Sequence, residues 1–251
     1  MAEASAKKGP KPPKPAAQTS LEAAAGMLSR VLDDNDKFVA SHPSEHFDPF
    51  LNEQHPGATV VACSDSRFHD EAIDREPDGN LFVVRNIGNQ IGSAAGSVEY
   101  GIEHLHTPLL VVVGHVGCGA VKAALGDYGA ERTPIRKELD GLHLSLREVQ
   151  EKKFDSFEAR WLAGVVANVH RQVADAMREN EARIAKGELF VIGSVYDFRG
   201  DFGLRRGSLH IVNLNGERDV AKIYASPLLR RVAELGRDAG QKPTLLRTAS
   251  N

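Results

Sequence analysis

Ala58-Thr59-Val60-Val61-Ala62-Cys63-Ser64-Asp65-Ser66-Arg67 reads as a buried strand that runs straight into a polar turn. Its apolar part is continuous rather than alternating, so both faces of the strand need cover, as in a parallel sheet with helices on either side. The same character recurs in Leu81-Phe82-Val83-Val84, Leu109-Leu110-Val111-Val112-Val113-Gly114, Leu189-Phe190-Val191-Ile192-Gly193 and Leu209-His210-Ile211-Val212-Asn213-Leu214. Helical stretches lie between these runs: Ser93 to about Leu105, the segment after Cys118 through Val121 and Leu125, and two longer ones over 134–152 and 156–185. In the last, Leu162, Val165, Val169, Val173 and Met177 recur at helical spacing. The expected fold class is α/β, a single domain with a central, mostly parallel β-sheet flanked by helices and an N-terminal helical arm.

Outside this alternation the chain has tails. Residues 1–18 are rich in Ala, Lys and Pro, and Gly9-Pro10-Lys11-Pro12-Pro13-Lys14-Pro15 favours extended polyproline conformation with no apolar face to bury, so a disordered tail is expected. Thr19 and Glu22 make a capping box for a helix carrying Leu21, Ala24, Leu28 and Val31 to about Ser41. That arm either covers its own sheet or packs on a second subunit. The domain is expected over 19–240, with a short helix from Pro227 to Leu235 and a C-terminal tail over 241–251.

Length, charge and cysteine content narrow the function classes. A chain of 251 residues supports one sizeable core. A net charge of -3 gives no electrostatic case for nucleic acid or an anionic membrane. Two cysteines are too few for a disulfide scaffold, and no stretch approaches the ~18 apolar residues of a spanning helix. The start, Met1 to Lys8, has lysines but no apolar h-region behind them, so the cytoplasm is the expected compartment.

The chemistry gathers at strand ends. Cys63, Asp65 and Arg67 leave the first run, and His115-Val116-Gly117-Cys118 leaves the third, so both cysteines sit where open parallel sheets bind their ligands. Two thiolates and an imidazole suit zinc, and three protein ligands leave a fourth position for water or substrate. The bland reading makes the cysteines small buried hydrophobes and His115 an ordinary hydrogen-bonded histidine. An acid and a guanidinium beside a core cysteine argue against it, since buried charges need each other or a metal. Gly88, Gly92 and Gly96 fit neither a nucleotide fingerprint nor a Walker motif, and close packing of loop and helix is the better explanation. Gly117 and Gly119, lacking side chains, let backbone approach a metal and leave an N–H free for a ligand.

Cys63-Ser64-Asp65-Ser66-Arg67 and His115-Val116-Gly117-Cys118-Gly119 resemble the CxDxR and HxxCG motifs of the β-class carbonic anhydrases. The similarity extends through Leu81 to Asn89 and Ser97-Val98-Glu99-Tyr100, and covers roughly residues 20 to 225. The resemblance implies a zinc enzyme that interconverts carbon dioxide and bicarbonate, at least as a homodimer. It implies Cys63, His115 and Cys118 as zinc ligands, Asp65 and Arg67 as the acid and base dyad, and Gln54 as the amide that reaches substrate across the dimer interface. Phe82 and Tyr100 match aromatic positions of its apolar pocket, and Gly119 would bind substrate. One departure is Val60, where some bacterial members carry a tryptophan that helps build a noncatalytic bicarbonate site; Arg85 and Tyr196 match its remaining partners. Another is His69, in a continuation that differs from the commoner arginine, valine, proline run and reads as a solvated loop histidine.

The expected reaction is reversible hydration of carbon dioxide to bicarbonate and a proton, by hydroxide that zinc makes available near neutral pH. Two thiolates offset the metal's charge, so activity should rise with pH above neutrality. Asp65 either closes the site as a fourth ligand or, paired with Arg67, orients the attacking water. The rivals are a carbonyl sulfide or carbon disulfide hydrolase on the same scaffold, and a noncatalytic assembly protein with structural zinc.

Overall fold

Five strands, β1 (Ala58–Cys63), β2 (Leu81–Asn86), β3 (Leu109–His115), β4 (Phe190–Asp197) and β5 (Ser208–Leu214), form one sheet in the order β2-β1-β3-β4-β5. The computed structural model describes residues 20–238. The expectations for the 1–18 tail, the Thr19 cap and the 241–251 tail fall outside them. The first four strands are parallel and β5 returns antiparallel to β4. In β1, Val61 and Cys63 enter one apolar cluster while Val60 and Ala62 enter another with Phe68, Val111 and Val113. Burial on both faces is what the unbroken apolar run demanded.

The described residues form two compact units that meet in sequence between Glu53 and Gln54. The first holds helix α1 (Ser20–Ser41) and a 3₁₀ turn over Ser44–Phe50. No residue of α1 is buried, and Leu21, Leu28, Val31, Leu32 and Val39 are exposed.

The second unit carries the sheet and the remaining helices: α2 (Ala95–Glu99), α3 (Gly119–Ala124), α4 (Thr133–Ser145), α5 (Arg147–Gln150), α6 (Phe157–Glu179), α7 (Glu181–Ala185), α8 (Val220–Tyr224) and α9 (Pro227–Asp238). Ser156 caps α6 by accepting the Ala159 N–H. Val165, Val169 and Val173 on α6 are fully or nearly fully buried against the sheet. Two glycines permit this close approach: a Cβ on Gly114 would stand 2.6 Å from Val169, and one on Gly193 2.7 Å from it.

Several expectations are corrected. The helix over 93–105 forms as α2 between a 3₁₀ turn (Gly92–Ala94) and a π turn (Tyr100–His104). The stretch 134–152 divides at Leu146. The stretch 156–185 divides at Asn180, whose side-chain amide and backbone N–H both donate to the Ala176 carbonyl. Helix α8 was not expected. Close packing explains Gly88, whose Cβ would meet Leu142 at 2.8 Å, but Gly92 and Gly96 face open space and are corrected accordingly.

Candidate metal centre

Strands β1 and β3 are neighbours, and the chain leaves β1 to build β2 on one side and β3 on the other. Their carboxyl ends therefore flank the crevice where the sheet's connections reverse direction, the usual ligand position in open α/β sheets. Cys63 is the last residue of β1, His115 the last of β3, and Cys118 the residue before α3. Gly117, at φ +68°, makes the turn that swings Cys118 back toward Cys63.

The three candidate ligand atoms lie within 4.8 Å of one another, and all three residues are buried. The two sulfurs are 4.0 Å apart. His115 Nδ1 is 3.0 Å from its neighbour's carbonyl, Val116 O, a contact only an N–H can make. The other nitrogen then carries the lone pair. Nε2 is buried, forms no hydrogen bond, and lies 3.7 Å from Asp65 Oδ2. An unpartnered buried nitrogen costs ~1–3 kcal/mol, so the arrangement calls for an acceptor of that lone pair. Two sulfurs and an imidazole at this separation fit a tetrahedral metal ion such as zinc.

The electrostatics favour a thiolate. The Cys118 thiol beside Cys63 pulls the latter well below the usual thiol range, against burial, and His115 and the Gly88 N–H assist. The same pairing, with burial, pushes Cys118 up. Asp65 is held well below the usual carboxylate range by Arg67, again against burial, and Arg67 is raised by Asp65. Their pairing is two-pronged: Arg67 Nε donates to Oδ1 at 2.8 Å and Nη2 to Oδ2 at 2.7 Å, while Nη2 also donates to Gly117 O at 3.0 Å.

A family model described as carbonic anhydrase matches residues 58–201. Carbonic anhydrase 2 of Mycobacterium tuberculosis is 35% identical over 204 residues, covering 74% of this chain and 94% of its own. The chain belongs to the β-carbonic anhydrase family. Among solved structures, the β-carbonic anhydrase CafA of Aspergillus fumigatus superimposes with a TM-score of 0.63 at 27% identity, covering 83% of this chain and 98% of that one. Two tetrameric β-carbonic anhydrases from Sordaria macrospora give a match with a TM-score of 0.64 at 25% identity, covering 75% and 98%.

In this carbonic anhydrase the remaining expected residues are less concentrated. Phe82 packs against the cluster that contains both cysteines, and Tyr100 stands beside it with ring centroids 5.8 Å apart and 44% of its surface exposed. Gln54 is exposed in the loop before β1, and Gly119 opens α3 with open space where a Cβ would be. His69 is exposed, as expected. Arg85 is engaged rather than free: its guanidinium donates to the carbonyls of Cys63, Asp65 and Phe68 and so shapes the loop that carries the dyad.

Two residues escaped the sequence reading. Phe198 lies under the Arg67 guanidinium, 4.8 Å from ring centroid to Cζ, and stacks at 6.3 Å on His115. Trp161, the only tryptophan, donates its indole N–H to the Cys118 carbonyl at 2.8 Å. Both reach the site through tertiary structure, from β4's far end and from α6.

Proposed function

We propose that this chain catalyses the reversible hydration of carbon dioxide to bicarbonate and a proton, with zinc held by Cys63, His115 and Cys118. The observation that carries this reading is the buried triad with its unpartnered His115 Nε2 beside an Asp65 already committed to Arg67. The relatives named carbonic anhydrase support it. When bound, zinc would supply Lewis acidity, lowering the pKa of water towards ~7 so that a nucleophile exists near neutral pH.

The chain's own residues do the rest. Asp65, ionised and tethered at both oxygens, is an acceptor fixed in place, able to orient a water molecule by taking one hydrogen bond from it. Arg67 holds that carboxylate by a bidentate fork and anchors it to Gly117 O, which supports a resting state with Asp65 turned away from the metal. A permanently closed, purely structural site would have no use for such a fork. Phe82 and Tyr100 supply an apolar surface for an uncharged substrate, and the N–H of Gly119 is a donor for bicarbonate. Exposed Gln54 and half-exposed Tyr100 suit a site completed by a second copy, so a homo-oligomer, at least a dimer, is part of the proposal.

Stopped-flow hydration of carbon dioxide by zinc-loaded protein, with Cys63→Ser as control, tests the assignment. The expected result is a rate far above background that the substitution abolishes. A rate at background with zinc bound would remove the enzyme reading. Parallel assays with carbonyl sulfide and carbon disulfide separate the reaction from its nearest chemical relatives.

A further inference from the structure

The fork between Arg67 and Asp65 fixes the guanidinium in its own plane but leaves its two faces unsupported. Arg67 is exposed, and a long side chain held only at its tip retains freedom to swing with its partner. The face is covered by one ring: Phe198, with Cζ of Arg67 4.8 Å from the ring centroid. The same ring stacks on His115 at 6.3 Å with planes 29° apart, so it bounds both a candidate ligand and the dyad.

Phe198 is itself held firmly. It follows Asp197, a fully buried carboxylate at the end of β4 that accepts backbone N–H groups from Arg199 (3.1 Å), Gly200 (2.7 Å) and Phe202 (2.9 Å). These three bonds tie the loop after β4 into one conformation and aim the ring at the site. A cap on such a loop is a fixed wall.

We propose that Phe198 is a positioning residue: its ring face holds the Arg67 guanidinium, and through it keeps the Asp65 carboxylate turned away from the metal position. This rests on the dyad reading given above. A cation resting on an aromatic face at an exposed position gains enough to bias a two-state carboxylate by about two- to five-fold. Leucine at 198 would fill similar volume without a π face, and tyrosine would keep the face.

The experiment compares full-length Phe198→Leu, Phe198→Tyr, Arg67→Ala and the double variant Phe198→Leu/Arg67→Ala, each loaded with zinc and, separately, with cobalt. Metal content, kcat and KM for carbon dioxide, and the visible cobalt spectrum are measured. Phe198→Leu is expected to retain a full complement of metal, lose about two- to five-fold in kcat with KM unchanged, and shift its cobalt spectrum toward that of Arg67→Ala. Phe198→Tyr should match the parent, and the double variant should be no worse than Arg67→Ala alone. The proposal is overturned if Phe198→Leu keeps the parent's kcat and cobalt spectrum while Arg67→Ala loses them. It is equally overturned if Phe198→Leu costs as much on top of Arg67→Ala as it does alone. An Arg67→Ala protein with parental kcat and spectrum would instead strike the dyad reading, and this proposal with it.

Discussion

At Asp65 two carboxylate oxygens meet three donors from one residue, the Arg67 side chain and its own backbone N–H. Removing that side chain frees the carboxylate to approach the metal. Arg67→Ala is therefore expected to lower turnover by about 10- to 100-fold with zinc retained, read by metal analysis beside stopped-flow rates. Zinc loss in that variant would make the residue structural. His170 gives a second residue-scale prediction. Asn213 Nδ2 lies 3.1 Å from its Nδ1, and an amide nitrogen can only donate, so that ring nitrogen accepts. Burial, with Arg218 nearby, lowers its pKa from 6.5 to about 4. The unfolded chain binds the proton more readily, so this contribution is whole above pH 6.5 and is lost as pH falls through 4. After allowance for its partial exposure it amounts to ~1–2 kcal/mol. Denaturant midpoints of His170→Gln should fall less between these pH values than those of the parent; equal slopes would refute the assignment.

The packing of α6 on the sheet depends on absent side chains. A methyl at Gly193 would stand 2.7 Å from Val169 and 2.8 Å from Val173 on α6, and 3.0 Å from Asn213 Cβ on β5, two elements that are already close-packed. Gly193→Ala should cost ~1–3 kcal/mol and lower the melting temperature measurably, by calorimetry, without touching the metal ligands. The strands themselves were legible because continuous apolar runs have few other uses in a chain of ordinary composition. Breaks in the long helices were not legible. Asn180 ends α6 with a side-chain bond to Ala176, and Asn is otherwise tolerable in a helix. Five-residue α8 buries one side chain, Ile223, too little for a periodic signal. In the site, Cys63, Asp65, Arg67, His115 and Cys118 announce themselves because their chemistry is concentrated within two short segments. Arg85 reaches the same loop only because strand register sets it against Ala62, and Phe198 only because β4 lies beside β3.

For the whole molecule, the N-terminal helix poses the main energetic question. Leu28, Val31, Leu32 and Val39 expose more than half of their surfaces, a stripe that a helix in water rarely leaves bare. A second copy is the cover that fits the proposed assembly. Leu28→Asp combined with Val31→Asp should shift the sedimentation profile toward smaller species, whereas an unchanged profile would detach this helix from assembly. Among the described residues no helix is long and apolar enough to cross a membrane.

The bond from Trp161 to the Cys118 carbonyl gives this protein a built-in optical reporter. With one indole in the chain, and Lys122 and Arg199 each within 5.4 Å of its ring, its emission is unambiguous in origin and sensitive to small displacements of the turn it holds. Titrating zinc into chelator-treated protein should change that emission in step with metal uptake and without any added dye. Trp161→Phe removes the only indole and serves as the blank for that signal, so the occupancy of the centre can be followed in real time independently of catalysis.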